Sequence, residues 1–216
     1  MDRPPAVSAG EPRGARLPNG IGAVLLAAGG GHRFGRPGEK LLAQLRGRPV
    51  VAWALEAVLA AGLETVVVVE GAVRLEDLVS ELSQGKAAVV HNGSWASGQM
   101  SSLRAGLDWC AERGLLAAVV GLGDQPLVGA AAWRRVAEAT ATPIATATFD
   151  GRRRPPVRLD RSAWPLLPVT GDEGARALMR RHPELVAEVP CDGDPVDIDT
   201  PDDLAAAEEA AAGRTR

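Results

Sequence analysis

Apolar and polar positions fall into blocks of two lengths along this chain. Ile21 to Ala28 (IGAVLLAA) is continuously apolar and ends in glycines, the pattern of a strand buried on both faces. Pro49 to Ala61 carries apolar residues at helical spacing, with Pro at its start and Gly62 at its end. Thr65 to Glu70 (TVVVVE) is a β-branched run and reads as a second strand. The same alternation continues as a helix over Val73 to Ser83, a strand over Ala87 to His91 and a helix over Met100 to Arg113. A buried strand at Leu115 to Leu122 and a helix at Ala130 to Ala139 follow.

This strand–helix alternation predicts an α/β fold, an open, mostly parallel twisted sheet of Rossmann-like type with helices on both faces. Its crossovers are expected to be right-handed. Beyond Thr142 the pattern loosens. PIATATF reads as a strand, RRRPPVRL as a turn and strand, and Asp172 to Arg181 as a helix. Short strands are expected in Leu185 to Val189 and Val196 to Ile198, and a last helix over Pro201 to Ala211. The expected layout is one domain over residues 20–210, with a disordered leader at 1–19 and a disordered tail at 211–216.

Composition narrows the function classes. The chain has 216 residues and a net charge of -3, from 24 Lys and Arg against 27 Asp and Glu. A nucleic-acid binder would ordinarily be strongly basic, so no nucleic-acid partner is expected. No apolar run approaches a membrane span, so no membrane partner is expected either. The leader is rich in Pro, Gly and Arg and lacks the apolar stretch of a secretory signal. Cys110 and Cys191 have neither CxxC spacing nor a histidine pair beside them, so they read as reduced thiols in a cytoplasmic protein and not as zinc ligands.

Three segments carry candidate chemistry. The first is LLAAGGGHRFGRPGEK, after the first strand. Ligands of open α/β sheets sit beyond the carboxyl ends of strands, and glycines let backbone N–H groups wrap phosphate oxygens. Arg33 and Lys40 would add cationic donors. The dinucleotide fingerprint fails here because Phe34 or His32 stands where its third or second glycine must be. The Walker pattern from Gly30 fails because Arg36 and Pro37 follow Gly35. An ordinary structural turn is the competing reading.

The second segment is NGSWASGQMSSLRAGL, a small polar loop opening onto a helix N-terminus with unpaired N–H donors. Trp95 and Met100 offer an apolar or stacking wall. The third is a pair of acidic sites. Asp124 in GLGDQP ends a buried strand, and PVDIDTPDDL contains Asp197 and Asp199 on one strand face. Thr200 as N-cap, Pro201 at N1 and Asp203 at N3 account for part of that string as a helix start. Asp197 and Asp199 are left over, and Asp199 is the better ligand because it ends the expected strand. Arg152, Arg153 and Arg154 read either as a solvated turn or as a clamp on an anionic acceptor.

LAAGGGHRFG followed by KLL, together with GQMSSLRAGL, GDQP and DIDTPDDL in that order, resembles the nucleotidyltransferases that attach CMP or GMP to molybdopterin. The likeness spans roughly residues 20–204. It implies the nucleotide-diphospho-sugar transferase type of fold. It also implies an Mg²⁺-dependent transfer of CMP from CTP, with Mn²⁺ as the alternative ion, to a phosphorylated small-molecule acceptor with release of pyrophosphate. Leu26, Ala27, Ala28 and Gly29 would meet the nucleotide, Arg33 and Lys40 its phosphates, and Gly98, Met100, Ser101 and Ser102 the base. Asp124 and Asp199 would hold the metal. A molybdenum enzyme receiving the finished cofactor is the implied protein partner. The family's Gly-His-Pro or Gly-Asn-Pro element is replaced here by Arg154 and Pro155. That departure keeps a sugar phosphate or another phosphorylated acceptor open, beside an oxidoreductase or an accessory protein on the same scaffold.

Overall fold

The computed structural model describes residues 17–31, 33–35 and 39–213, and of 211–213 only the backbone. Most of the expected leader and the last three residues of the expected tail lie outside the described residues, as do His32 and the 36–38 segment. Leu17 already packs against the core.

Seven strands form the main sheet: β1 (Ile21–Ala27), β4 (Thr65–Glu70), β5 (Ala87–His91), β6 (Ala117–Leu122), β7 (Ile144–Phe149), β8 (Arg152–Asp160) and β9 (Val186–Pro190). Their order is β5-β4-β1-β6-β8-β7-β9. All run parallel except β8, which is antiparallel to both neighbours. A small hairpin of β2 (Gln44–Leu45) and β3 (Arg48–Pro49) lies apart. The helices are α1 (Glu39–Leu42), α2 (Val50–Ala60), α3 (Glu76–Ser83), α4 (Gln99–Glu112), α5 (Ala130–Glu138), α6 (Ala175–Arg181) and α7 (Pro201–Gly213).

The continuous apolar run of β1 explains its central place, because every one of its residues is buried. Its side chains alternate between two cores. Ile21, Ala23, Leu25 and Ala27 face a cluster with Val51 and Leu55 of α2, Val79 of α3 and Trp133 of α5. Val24 and Leu26 face a second cluster with Met100, Leu103 and Leu107 of α4 and Leu178 and Met179 of α6. This period of two is what a strand covered on both faces imposes. A third cluster joins Leu45, Val50, Leu127, Ile198 and Ala207. It anchors the stretch before α7, and burying Ile198 there contributes about 1.5–3 kcal/mol.

Two expected features are corrected. Val196 to Ile198 is not a strand. The stretch is held by the burial of Ile198 and by its N–H donating 2.9 Å to the Asp124 carbonyl, so its backbone bonds go to a loop and not to a ladder. RRRPPVRL is not a turn followed by a strand, because the turn is Asp150-Gly151, both at positive φ. The whole of Arg152–Asp160 is strand, with a register shift against β7 between Thr146 and Ala147. The shift leaves Pro155 and Pro156 outside the paired positions, where residues without an N–H are tolerated.

Candidate active site

Three segments converge at the carboxyl ends of β1 and β6. The β1 chain leaves the sheet at Ala28 and passes through Gly29, Gly30 and Gly31 before α1 delivers Lys40. Beside it, Gly123 N–H donates to the Leu26 carbonyl at 2.8 Å and sets Asp124 at the sheet edge. The bond from Ile198 N–H to the Asp124 carbonyl then brings in the third segment with Asp199.

Lys40 sits at the junction. Its Nζ donates to Asp124 Oδ2 at 2.6 Å and to Asp199 Oδ1 at 3.1 Å, and its side chain is 9% exposed. Burial works against the Lys40 ammonium, but the charges and hydrogen bonds of Asp124 and Asp199 outweigh it and hold its pKa above the ordinary lysine value. The stem of Lys40 lies across Gly31, where an added Cβ would come within 2.9 Å of it. Gly31 also has φ +63, so two independent constraints favour glycine there. Arg33 reaches in from the exposed rim, and its Nη2 donates to Asp199 Oδ2 at 2.7 Å.

The second loop is built differently from its expected role. Asn92 is buried and donates through Nδ2 to Ser101 Oγ at 2.8 Å and Ser102 Oγ at 2.9 Å, while its Oδ1 accepts from Ser94 N–H. Met100 has its side chain in the core, 1% exposed, and its N–H donates to the Gly171 carbonyl at 3.0 Å. A contact of the Met100 side chain with a base is therefore replaced by a packing role. The Ser101 hydroxyl donates to the carbonyls of Ser94 and Gly98, and Ser101 does not line the adjoining cavity. Arg104 clamps the carbonyls of Leu167 and Pro168, so it fastens the 168–174 loop over the start of α4.

Two cavities open here. One, of about 400 Å³, is lined by Ala28, Gly29, Gly30, Lys40, Asp124 and, from the second loop, Trp95, Gly98 and Ser102. The other, of about 440 Å³, adjoins it through the shared walls Leu26, Gln99 and Leu122. Of the expected nucleotide contacts, Leu26, Ala28, Gly29, Gly98 and Ser102 line the first cavity. Ala27 has its side chain in the core on the other face of β1.

Sequence reasoning missed Gln125 and the role of Asp197. Gln125 is 2% exposed, and its Nε2 donates to the Pro195 carbonyl at 3.2 Å and to Asp197 Oδ1 at 2.9 Å. This amide ties the segment after β6 to the segment that carries Asp199. Asp197 is exposed as a residue, but the partial burial of its carboxyl, then the charges of Asp124 and Asp199, push that carboxyl above its usual range against the hydrogen bond from Gln125. The signal available in the sequence was only that Gln125 follows Asp124.

The donor set fits a hard divalent cation. Asp124 Oδ1 is buried with no hydrogen-bond partner, an open acceptor beside a second carboxylate. Among the described residues no group of three or more His, Cys, Asp and Glu side chains forms a metal cluster. Two carboxylates with phosphate oxygens and water completing the shell is the mode Mg²⁺ and Mn²⁺ favour.

An open α/β sheet with a cationic, glycine-floored cavity at its switch point defines a nucleotide-handling protein. The sequence profile of the MobA-like NTP transferase domain matches residues 23–186, and the chain belongs to that family of nucleotidyltransferases. A comparison with curated proteins finds no match. Among solved structures, Rv0371c from Mycobacterium tuberculosis is similar at 30% identity and TM-score 0.71, over 88% of this chain and 98% of that one. A nucleotidyl transferase from Methanothermobacter thermautotrophicus is similar at 26% identity and TM-score 0.73, over 92% of this chain and 100% of that one. A further structure of Rv0371c, at 29% identity and TM-score 0.69 over 88% and 98% of the two chains, is a complex with manganese. Among the described residues no helix is long and apolar enough to cross a membrane.

Proposed function

We propose that this protein transfers CMP from CTP to the phosphate of molybdopterin, releasing pyrophosphate. The observation that carries the reading is the Lys40 ammonium held between Asp124 and Asp199 at a cavity floored by the glycine loop. Phosphoryl-type transfers ask the protein mainly for positioning and charge neutralisation, and this site is built of those.

The triphosphate lies along the backbone of Ala28 to Gly30, with the nucleoside toward Trp95, Gly98 and Ser102. An acceptor phosphate oxygen attacks the α-phosphorus in line, and the bond to the β-phosphate oxygen breaks. Lys40 and Arg33 turn from the carboxylates onto the departing pyrophosphate. Asp124 and Asp199 would hold Mg²⁺ or Mn²⁺, which supplies charge neutralisation at the α-phosphate when bound. The manganese complex of the similar mycobacterial protein supports a divalent ion of this kind. The acceptor enters the second cavity, which meets the first at Leu26 and Leu122.

A second acceptor class is favoured by one observation. Arg154 and Pro155, which stand in place of the Gly-His-Pro or Gly-Asn-Pro element, line the second cavity. A phosphorylated acceptor other than molybdopterin is the consequence if that element reads the pterin.

The test is pyrophosphate release with CTP, GTP, UTP and ATP against molybdopterin and a set of sugar phosphates. Release with CTP and molybdopterin supports the first reading. Release only with another acceptor moves the assignment to the second. No release with any pair removes both.

A further inference from the structure

The second cavity is lined by charged side chains of both signs, with Glu173 and Asp197 beside its arginines. Four arginines line it: Arg153 and Arg154 at the start of β8, and Arg176 and Arg180 on α6. Two are partly spent, since Arg153 donates to Glu188 at 2.7 Å and Arg180 to Glu173 at 2.6 Å. Among the described residues Arg154 and Arg176 make no ion pair.

The two free guanidinium groups serve different places. Arg154 lines the cavity together with Gln125 and Asp197, which are bonded to each other at 2.9 Å and belong to the segments that carry Asp124 and Asp199. Arg176 and Arg180 act on Glu173, at the α6 end. The cavity also has an apolar part of its wall, formed by Leu103, Val120, Val157 and Met179. At about 440 Å³ the space accommodates a ligand of many heavy atoms and not a bare phosphate.

We infer that the acceptor is an amphipathic ligand with two anionic groups: a phosphate that meets Arg154, an apolar body across Val120, Val157 and Met179, and a second anionic group bound by Arg176 and Arg180. This rests on the nucleotidyl-transfer reading and adds the substrate class to it. Arginine suits both ends, because its planar fork pairs with carboxylate and phosphate alike. The second group displaces Glu173 from Arg180, exchanging one exposed ion pair for another. A ligand with one anion leaves Arg176 unmatched and gains only part of the available binding.

Two synthetic probes separate the possibilities without any turnover. Calorimetric titration of the protein with phenyl phosphate and with 4-carboxyphenyl phosphate compares one anion with two on the same apolar spacer. 4-Carboxyphenyl phosphate is expected to bind about tenfold tighter or more. In an Arg176→Gln/Arg180→Gln variant the ratio of the two affinities collapses toward one. In Arg154→Gln both affinities fall and the ratio survives. Equal affinities in the unaltered protein, a ratio that the α6 variant leaves intact, or binding of neither probe would each overturn the inference. CTP with Mg²⁺, titrated separately into the same protein, reports on the nucleotide cavity alone. Failure there counts against the nucleotidyl-transfer reading, whatever the probe ratio.

Discussion

Lys40 Nζ lies 2.6 Å from Asp124 Oδ2, with the ammonium placed where two carboxylates would otherwise face each other. The pair joins α1, which follows the glycine loop, to the carboxyl end of β6, so two chain segments far apart in sequence are fixed by one contact. The second partner of Lys40, Asp199, is 3.1 Å away, and in the proposed transfer the same lysine turns from both to the triphosphate.

Removing either member of this pair should therefore damage rate far more than fold. Asp124→Ala and Lys40→Ala are each expected to lose roughly 100- to 1,000-fold in pyrophosphate release, the typical cost of one aligned charge at a reacting phosphate. The circular dichroism of both variants should stay native, because the three apolar clusters do not include either side chain. Near-normal turnover by a purified variant would remove its residue from the chemistry.

The sheet was legible because its strands are long apolar runs. Ile21 to Ala28 and Thr65 to Glu70 announce themselves by composition, and β1 and β4 lie within one residue of those bounds. The turn before β8 was equally available, since Asp150-Gly151 is a strong hairpin dipeptide, but the adjacent arginines and prolines drew the turn assignment downstream. Asp124, Asp199, Lys40 and Arg33 could be nominated because charge at strand ends is conspicuous. Gln125 and Asn92 could not. Each matters through a buried amide whose side-chain Nε2 or Nδ2 partners are 70–72 and 9–10 residues away, and no local pattern encodes those pairings. Met100 is different: the resemblance made it a base contact, although it begins the expected helix on the same face as Leu103 and Leu107, and its side chain lies in the core with theirs.

Gly98 is expected to tolerate no side chain. It has φ +116, and an added Cβ would stand 2.6 Å from Asp172 Oδ1 and 2.8 Å from the Gly171 carbonyl. Gly98→Ala should cost on the order of 1–3 kcal/mol in backbone strain and push the 168–174 loop off the start of α4. Thermal melting and nucleotide titration together check this. A lowered melting temperature with weakened CTP binding is the expected pair of changes, and an unchanged melting temperature would contradict the packing described.

Asp160 should contribute to acid stability. Burial opposes ionisation of its carboxyl, but the N–H and hydroxyl of Ser162 and the Arg158 guanidinium outweigh burial and hold it below the usual carboxylate range. A folded-state value lower than the unfolded one means that stability is present above about pH 4 and is lost as pH falls through the folded value. Asp160→Asn removes the titration. Its stability, followed by urea unfolding from pH 6 to pH 2, should fall less steeply at the acid end than that of the unaltered protein. Parallel curves would show that this carboxyl is not depressed.

Gln125 ties the segment after β6 to the segment that carries Asp197 and Asp199. Its amide holds the Pro195 carbonyl and Asp197 from a fully buried site, and the neighbouring backbone bond joins Ile198 to Asp124. Gln125→Leu keeps the volume and deletes both donors, leaving the half-buried Pro195 carbonyl and the Asp197 carboxylate without them. Asp199 then loses its fixed distance from Asp124. Partners of this kind typically tune metal affinity by about 10–100-fold, so Mn²⁺ binding measured by electron paramagnetic resonance should weaken to that extent. Gln125→Glu adds a carboxylate beside those of Asp124, Asp197 and Asp199 and cannot donate to Asp197 once ionised, so it should not restore binding. Gln125→Asn retains the amide but shortens its reach and should recover part of it. A Gln125→Leu protein that binds Mn²⁺ as tightly as the unaltered chain would show that the Ile198–Asp124 bond and the burial of Ile198 suffice to hold Asp199 in place.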